Sequence, residues 1–586
     1  MSFPFQPAPV YAGIGSNQVK LGLARTKLRA HLDALIEALR TERYSFWTHW
    51  REIAEYLLPR RYKWLITPNR GNRGAPINQR IIDETGVVAW RTLSSGMLGG
   101  ITSPGRPWFR ITTQDASLAE IASVKLWCAE VQSRMLTVMG RSNYYTAKAT
   151  QYGDLAAFGT APMLIYDDFD TVIRCYTPCA GEYFVANDNR LQIGTFAREF
   201  VQTTAQLVKE YGKENCSQPV QQGYADGGAG LTREVVVYHA IEPNDPSVGD
   251  LGTNVLPSHF KWRECYWERG ADAGQFLRIK GYYECPFTCP RWDVSENDAY
   301  GRSPAMDALG SLKQLQVEQK AKGVGILKHV DPPLLGHISL KNEPASVLPS
   351  HITYVQNLNE AGMKPVYQVT PDLNGLINDI VDVRERIDQV FFKDLFMMIS
   401  QLDTVRTATE IDARREEKLI QLGPVLERNQ GESLDPDIDR IYAIMLRNRL
   451  LPPPPPELSG QALKIEYISM LAQMQRAAST SGIERLAAFV GNLAAAQPGV
   501  LDNIDFDEMI DEYADLLGVN PRVVRSIVQV AQIRNQRAQS QAQQQGLQNS
   551  LAAVQGAQTL SQTDVGGGQN ALQQILYGPG AMKQAA

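Results

Sequence analysis

The most regular hydrophobic pattern of the chain lies between residues 371 and 428, and it predicts two helices joined by a short polar loop. The first helix begins with Thr370 as its cap and Pro371 at its first position, an arrangement common at helix N-termini. Apolar residues then alternate at spacings of three and four, which places them on one narrow seam suited to a partner helix. The seam consists of Leu373, Leu376, Ile380, Val383, Ile387 and Val390.

The second helix of this hairpin is predicted to begin at residues 407–410, whose sequence Thr-Ala-Thr-Glu fits a capping box. Gly423 and Pro424 follow, and the proline predicts a kink if the helix continues through them. The polar loop at 400–406 contains no glycine, no proline and no apolar core of its own. A plain helical hairpin inside an enzyme core is the alternative interpretation of this stretch.

Helical periodicity also occupies most of the first 158 residues, whereas residues 160–290 have the pattern of strands. The predicted helices are 19–58, 84–100, 116–139 and 144–158. The helix at 84–100 is rich in small residues, which allow a neighbouring element to approach closely. The predicted strands are 161–166, 171–176, 181–186, 191–200, 233–242, 258–268 and 275–285, with a hairpin turn at 187–190, a short helix at 204–212 and a glycine-rich loop at 213–231.

Ser303 and Pro304 predict the start of another helix, whose apolar stripe continues towards Lys322. A compact mixed segment at 326–370 follows, and the hairpin comes directly after it. Strand-like pieces are predicted at 324–328, 351–355 and 365–369. Because one long helix enters this segment and another leaves it, the sequence predicts a small unit carried on two helices.

The C-terminal part of the chain differs from the rest in its composition and hydrophobic pattern. Helical pattern resumes at Ile438, and the five consecutive prolines at 452–456 predict a stiff extended spacer. Residues 461–533 are predicted to be helical. The last fifty or so residues are rich in Gln, Ala and Gly, and their weak stripe of Leu547, Leu551 and Val554 is compatible with a polar helix or with disorder in isolation.

Composition narrows the class of protein. The 586 residues are enough for three or more domains, and 44% apolar with 21% charged residues is ordinary for a folded soluble protein. The helical and strand patterns together predict an α+β fold that is mainly α. A net charge of −5 argues against a protein that grips a polyanion tightly. The seven cysteines, an odd and low number, predict reduced thiols and folding inside the cell. We find no secretory signal and no apolar run of roughly 18 residues, so no membrane span is expected.

Known catalytic patterns are absent from the sequence. It contains no phosphate-binding loop, no nucleophile elbow and no His-Glu-x-x-His. The best metal candidate pairs Cys175 and Cys179 with Cys285 and Cys289, since four thiolates can bind zinc. Buried free thiols on adjacent strands are the simpler interpretation. We therefore expect no cofactor and no metal, and a role in structure or assembly instead of enzymatic activity.

Four segments together resemble the portal proteins of short-tailed bacteriophages, also called head-to-tail connecting proteins. They occur in the expected order and the resemblance covers about residues 30–500. The segments are 95–109 (SGMLGGITSPGRPWF), 285–292 (CPFTCPRW), 300–304 (YGRSP) and 407–411 (TATEI).

The resemblance implies a portal-type subunit that assembles into a ring, expected to be a dodecamer. Its parts would be a wing at 1–303, stem helices at 304–325 and 371–398, an α/β clip at 326–370, a channel loop at 399–409, a long kinked wing helix and proline-rich spacer at 410–458, a helical crown at 459–533 and a Gln-rich extension at 534–586. The proline spacer and the Gln-rich tail have no counterpart that the resemblance supplies.

The resemblance also implies a function without covalent chemistry. The ring would occupy one vertex of the capsid in the virion, after assembly in the host cytoplasm, and double-stranded DNA would pass through it during packaging and ejection. Expected partners are the terminase large subunit and then a tail adaptor protein at the clip, the major capsid and scaffolding proteins, and DNA without sequence specificity. The residues expected to face the channel are Gln401, Asp403, Thr404, Arg406 and Thr407. The alternatives are another virion assembly protein, such as a tail adaptor or an internal scaffold, and a zinc-dependent hydrolase.

Overall fold

One 41-residue helix, α1 (Ser16–Tyr56), confirms the helix predicted at 19–58. It belongs to a computed structural model that describes residues 16–59, 80–119, 121–248, 251, 256–257, 259–330, 334–335, 364–365, 373–400, 421–458, 461–468, 483, 486–493, 505–516, 527–562, 571–572 and 575. Contacts divide the chain into two compact units. The first unit comprises Met1–Ile111, Glu130–Pro453 and Ile465–Gln475, and the second comprises Thr112–Ala129, Pro454–Lys464 and Arg476–Ala586.

The helical N-terminal part follows the sequence closely, with one difference. The elements after α1 are α2 (Thr85–Ile101), β1 (Phe109–Thr113), α3 (Ala116–Ala119), α4 (Ala122–Arg141) and α5 (Tyr144–Phe158). The single helix predicted at 116–139 is wrong, because α3 and α4 are separate helices.

Two antiparallel sheets confirm the strands predicted between 160 and 290. The larger has the order β4-β5-β6-β7-β8 and the smaller has the order β3-β2-β9. Their strands are β2 (Met163–Asp168), β3 (Val172–Tyr176), β4 (Tyr183–Asn187), β5 (Ile193–Thr203), β6 (Glu234–Pro243), β7 (Trp262–Glu268), β8 (Arg278–Tyr282) and β9 (Phe287–Thr288). The hairpin turn predicted at 187–190 does join β4 and β5, where the Asp188 carboxylate accepts from the backbone N–H groups of Arg190 and Gln192.

Side chains along each strand of the larger sheet alternate between its two faces. Helices cover both faces. Leu28, Leu32 and Ile36 of α1 belong to one core cluster with Tyr238 and Trp267 of the sheet. Residues of the opposite parity lie in a second cluster, formed with α6 (Thr204–Tyr211) and α7 (Gln218–Asp226). The sheet is therefore buried on both faces in this region.

The short helix α7 corrects the loop predicted at 213–231. It begins after Ser217, whose backbone N–H donates to the Glu268 carboxylate at 2.9 Å. Cys216 and Val220 are buried in the adjoining core. The segment is mostly polar and rich in glycine, which favoured the loop prediction. Its few apolar residues are buried in the core and stabilise short helices instead.

A buried polar layer lies between β5, β6 and β7. The ring of His239 is fully buried and its Nε2 lies 2.9 Å from Oε1 of Glu264. Arg198 donates from Nε to Nδ1 of the same ring at 3.0 Å, and Tyr266 stacks on it with ring centroids 4.1 Å apart. Since Nδ1 accepts a hydrogen bond, the imidazole is neutral and donates from Nε2 to Glu264. Burial accordingly lowers the pKa of His239 to about 4.

The predicted helix–segment–helix unit has longer and more broken helices than the sequence suggested. The helices are α8 (Pro304–Val330), α9 (Leu373–Val390) and α10 (Lys393–Ser400). The strand-like piece predicted at 324–328 is wrong, since these residues continue α8. The single helix predicted at 371–398 is also wrong, because the chain turns at Phe391 and Phe392. In the segment between α8 and α9, β10 (Leu334–Leu335) pairs antiparallel with β11 (Lys364–Pro365), and the predicted strand at 351–355 lies outside the described residues.

The chain is helical from 421 to 447, on both sides of Gly423 and Pro424. A π-helical turn, Gln430–Leu434, interrupts it before α11 (Asp435–Arg447). After the prolines, the helical prediction for 461–533 is wrong at its start, because residues Leu463–Tyr467 form strand β12. Later parts are helical, namely α12 (Phe506–Leu516) and α13 (Ile527–Gln562), so the Gln-rich tail begins as a helix.

The predicted α+β class with a majority of helix is confirmed. None of the helices in the described residues combines the length and apolar composition that a membrane span needs.

Candidate functional site

Helices α8 and α9 pack against each other as a hairpin. Of the seam residues, Ile380, Val383 and Ile387 are buried. Leu376 and Val390 are half-buried, and the side chain of Leu373 lies outside the described part. Leu312 and Leu315 are buried on α8. The narrow seam of α9 therefore faces the interior of its own subunit.

The small-residue helix α2 supports this hairpin by close contact, as its composition predicted. An added Cβ at Gly86 would overlap the side chain of Leu312 on α8. An added Cβ at Gly96 would overlap Phe396 on α10, including the Cβ of that phenylalanine. At Gly96 a larger residue would push α2 and α10 apart, whereas at Gly86 it would have to displace the end of the Leu312 side chain.

We expect Gly96→Ala to destabilise the protein by about 2 kcal/mol, since overpacking of a close helix contact costs this much. Phe396 cannot relieve the overlap by rotating its ring, because its own Cβ is too near. Gly99→Ala is a matched control on the same helix, where an added Cβ meets nothing within 4 Å. It should raise stability slightly through helix propensity. Equal effects of the two variants in thermal unfolding would contradict this account.

A cluster around Asp83 ties α2, α8 and α9 together. Its Oδ2 accepts from Nη2 of Arg384 on α9 at 2.6 Å and from Gln319 on α8 at 2.8 Å. Its Oδ1 accepts from the backbone N–H of Thr85 at 2.9 Å. Gln316 accepts from the Asp83 N–H at 2.8 Å. Burial would raise the pKa of Asp83, but the hydrogen bonds from Thr85 and Arg384 outweigh it and hold the pKa below its ordinary value.

Sequence reasoning missed the Asp83 cluster. Gln316 and Gln319 lie near the apolar stripe of α8, and polar residues at buried helical positions normally have a fixed partner. That placement was the available indication. It could not identify Asp83, which is 233 residues away from Gln316 along the chain.

The chain turns between α9 and α10 at Phe391 and Phe392. Phe391 is fully buried, and Phe392 has a φ of 52°, a left-handed value that is costly for a bulky residue. The ring of Phe392 lies 6.3 Å from that of Trp292. Packing of the two phenylalanines therefore overrides the local preference to continue the helix.

The segment 300–304 forms the base of α8. Ser303 accepts from the backbone N–H of Met306 at 3.1 Å, so the predicted helix cap is confirmed. Its hydroxyl donates to the carbonyl of Ala157 at 2.8 Å. The Gly301 N–H donates to Thr160 at 2.8 Å. These bonds fix the first turn of α8 to the end of α5.

Helix α11 is held by a buried ion pair. Nζ of Lys148 lies 2.7 Å from Oδ2 of Asp437, and both side chains are fully buried. Tyr144 donates to the same oxygen at 3.0 Å, and Lys148 also donates to Ser433 at 2.7 Å. Burial raises the pKa of Asp437 and lowers that of Lys148. The pair anchors α11 to α5 across a gap of 289 residues in sequence.

The segment 285–292 contributes Arg291 to the same region. Arg291 Nη2 lies 2.6 Å from Oε1 of Glu432 in the π-helical turn and 2.7 Å from the carbonyl of Leu191. Arg440 of α11 donates to Glu284 at 2.9 Å. These contacts bind the chain that returns from the hairpin to both sheets.

The five predicted channel residues lie outside the described residues: Gln401, Asp403, Thr404, Arg406 and Thr407. The same holds for the capping box at 407–410 and for the helix cap at Thr370. The predicted start of the channel loop at residue 399 is wrong, because α10 continues to Ser400.

The four cysteines of the zinc alternative are free thiols in the structure. Burial raises the pKa of Cys285 to about 12, and it raises the pKa of Cys175 and Cys289 as well. Within the described part of the chain, no three or more His, Cys, Asp or Glu side chains converge as metal ligands would.

A sequence model of the family described as bacteriophage head to tail connecting protein matches residues 29–524. The chain belongs to this family. The probable portal protein of Bordetella phage BPP-1 is 44% identical over 526 residues, which cover 89% of this chain and 92% of that protein. The portal protein of Salmonella phage epsilon15 is 39% identical over 569 residues, which cover 96% of this chain and 100% of that protein.

Membership of the head-to-tail connecting family confirms the predicted resemblance and the predicted function as a phage portal protein. It favours this function over a tail adaptor or an internal scaffold. Three of the four segments that carried the resemblance can be placed: 95–109 contacts α10, 285–292 holds the π-helical turn, and 300–304 starts α8. In this family member they build the support for the helical hairpin.

Proposed function

We propose that the chain forms a ring, a dodecamer, at one vertex of the capsid and that double-stranded DNA passes through its centre during packaging and ejection. In this proposal α8 and α9 are the stem and the segment between them is the clip. The channel loop, expected at 399–409, would begin only after Ser400, because α10 continues through that residue. The wing is the helical and sheet-containing region that precedes α8, with residues 410–458 returning to it. Residues 459–533 are the crown, and 534–586 extend it.

The observation that carries the proposal is the anchored hairpin. Helix α2 meets α8 at Gly86 and α10 at Gly96, and Asp83 bonds both α8 and α9. A hairpin held at this many points can keep a loop in one place while DNA moves past it. Helix α10 ends at Ser400, so the loop would begin from this rigid base.

The net charge of the chain supports a channel through which DNA slides without being bound tightly. The chain carries 58 basic and 63 acidic residues, a net charge of −5. A strongly cationic channel would hold the duplex tightly, since each phosphate contact adds affinity. Contacts from single side chains such as Arg406 to the DNA backbone would be weak, salt-sensitive and independent of base sequence.

The partners follow from this assignment. The terminase large subunit would dock on the clip during packaging, and a tail adaptor would take its place afterwards. The major capsid and scaffolding proteins would surround the ring in the virion, after assembly in the host cytoplasm. The proposal requires no cofactor, no metal and no catalytic residue.

Deleting residues 401–406 tests the channel loop. We expect rings to form as in the wild type, because the deletion leaves the described contacts of α8, α9 and α10 intact, while the amount of DNA packaged per particle or retained in it falls. The measurements are electron microscopy of the purified protein and quantification of packaged DNA. A matched control removes six residues at 563–568, which this proposal places away from the channel loop. Unchanged packaging and retention in the 401–406 variant would refute the loop assignment, and a purified wild-type chain without a central hole would refute the ring.

A further inference from the structure

Two tyrosine rings and one guanidinium lie together where α6 ends against the larger sheet. Tyr266 of β7 and Arg278 of β8 are directly paired in that sheet. Cζ of Arg278 lies 4.6 Å from the ring centroid of Tyr266 and 5.3 Å from that of Tyr211, the last residue of α6. The centroids of the two tyrosine rings are 5.6 Å apart. Stacking on both rings therefore holds the guanidinium in one place.

Polar atoms of this group lack the partners that buried polar atoms normally have. Tyr211 is only 6% exposed, and its buried hydroxyl has no hydrogen-bond partner among the described residues. Nε of Arg278 is also buried without a partner. Within the part of the chain that the structure describes, the Arg278 guanidinium forms neither a hydrogen bond nor an ion pair. Because an unpaired buried polar atom is costly, such atoms indicate a partner that the chain itself does not supply.

The carboxylates near Arg278 are already engaged by other donors. Glu264 and Glu210 are the two whose charges act on Arg278. Glu264 lies 2.9 Å from Nε2 of His239 and accepts from three tyrosine hydroxyls at 2.8, 3.0 and 3.1 Å. Glu210 accepts from Nε2 of Gln202 at 2.9 Å. Arg278 therefore keeps N–H groups that can donate to an acceptor from outside the chain.

A second guanidinium adds positive charge to the same region. The strand register aligns four residues in one row from β5 to β8: Arg198, His239, Tyr266 and Arg278. Burial raises the pKa of Tyr211, whereas the charges of Arg278 and Arg198 act in the opposite direction. The positive field of both cations therefore reaches the unpartnered hydroxyl, where it favours a negatively charged ligand.

We propose that Arg278 and Tyr211 bind a small oxyanion, inorganic phosphate or an anion of the same shape, at the end of α6. A planar guanidinium can donate to two oxygens of one oxyanion, and a neutral hydroxyl can donate to a third. The bound anion would connect the end of α6 to β8. This inference does not depend on the proposed ring.

The burial and charge of the group favour a free anion over two other occupants. A phosphate of duplex DNA enters a site together with its flanking sugars, yet Tyr211 is almost fully buried and Arg278 is half-buried. A water molecule could accept from the Tyr211 hydroxyl, but it carries no charge to pair with the guanidinium. An oxyanion satisfies both the hydrogen bonds and the charge.

Calorimetric titration of the full-length protein with sodium phosphate tests the site, with sodium chloride keeping the ionic strength constant. The wild type should bind phosphate saturably. Arg278→Gln should weaken binding by about tenfold or more, because the charge and the planar fork are lost. Arg278→Lys keeps the charge without the fork and should bind with intermediate affinity. Arg190→Gln is the matched control, since Arg190 is exposed at the turn between β4 and β5.

Two further variants separate anion binding from a purely structural role. Tyr211→Phe removes only the unpartnered hydroxyl, so it should weaken phosphate binding without lowering the melting temperature in phosphate-free buffer. Glu210→Gln should strengthen binding, because it removes a carboxylate that repels the anion. Circular dichroism verifies that each variant is folded.

The outcomes that overturn the proposal are equally direct. A wild-type protein without saturable phosphate binding would overturn it, and so would equal binding by the wild type and a folded Arg278→Gln variant. A short DNA duplex is titrated into the phosphate-loaded protein in parallel. Displacement of phosphate from the wild type by the duplex, lost in Arg278→Gln, would overturn the free-anion site in favour of a contact with nucleic acid.

Discussion

We expect Asp437→Ala to lower the free energy of unfolding by about 3–5 kcal/mol, because it leaves a buried charge without its partner. In the wild type, Oδ2 of Asp437 accepts from Lys148 at 2.7 Å and from Tyr144 at 3.0 Å. Without the carboxylate, the Lys148 ammonium keeps only the hydroxyl of Ser433. Chemical denaturation of the purified protein measures the loss.

Two further variants make this expectation specific to the buried pair. Lys148→Met combined with Asp437→Leu removes both charges and should recover most of the stability, since an apolar pair of similar volume needs no hydrogen bonds. Glu130→Ala breaks an exposed pair with Arg134, whose atoms lie 2.8 Å apart, and should change stability by less than about 1 kcal/mol. A similar loss for Asp437→Ala and Glu130→Ala would show that the buried pair does not hold α11.

Acidification should destabilise the larger sheet through His239. Its pKa is about 4 in the folded protein, below the ordinary value of 6.5, so the unfolded chain binds more protons between these values. Stability is therefore full above pH 6.5 and is lost as the pH falls towards 4. The expected loss between pH 7 and pH 5 is about 2 kcal/mol. Glu264, whose pKa is lowered to about 2, adds a loss only below its ordinary value of 4.5.

The melting temperature as a function of pH checks this expectation. His239→Gln retains a donor and an acceptor but does not titrate, so its melting temperature should fall less between pH 7 and pH 5. His259→Gln, at an exposed position, should keep the wild-type dependence. If His239→Gln and the wild type show the same slope, His239 does not control the acid sensitivity.

Local sequence patterns were enough to predict the helices that begin with a capping residue and the strands with alternating apolar residues. Ser303 and Pro304 predicted the start of α8, and period-two alternation predicted the strands of both sheets. The ends of α8 and α9 were not predictable in this way. Val324 and Ile326 favour strand, yet the helix continues through them, and no glycine or proline marks the turn at Phe392. Tertiary packing decided these positions against local preference.

For the contacts that hold the hairpin, the sequence predicted only that the small residues of α2 allow a close neighbour. The small residues of α2 indicated that something approaches closely, but not that Gly96 meets Phe396, since the two are distant in sequence. Asp83, Lys148 and Asp437 carried no local indication of burial. Their roles depend on partners contributed by other segments of the chain, which spacing within one helix cannot reveal.

The corner at Phe392 also has a mechanical meaning. Any pull on the chain beyond residue 400 reaches this corner before it reaches the length of α9. There Phe392 contacts Trp292, the residue after Arg291, and Arg291 is bound to Glu432 in the π-helical turn. Part of such a force would therefore pass through Trp292 and Arg291 into the π-helical turn before α11.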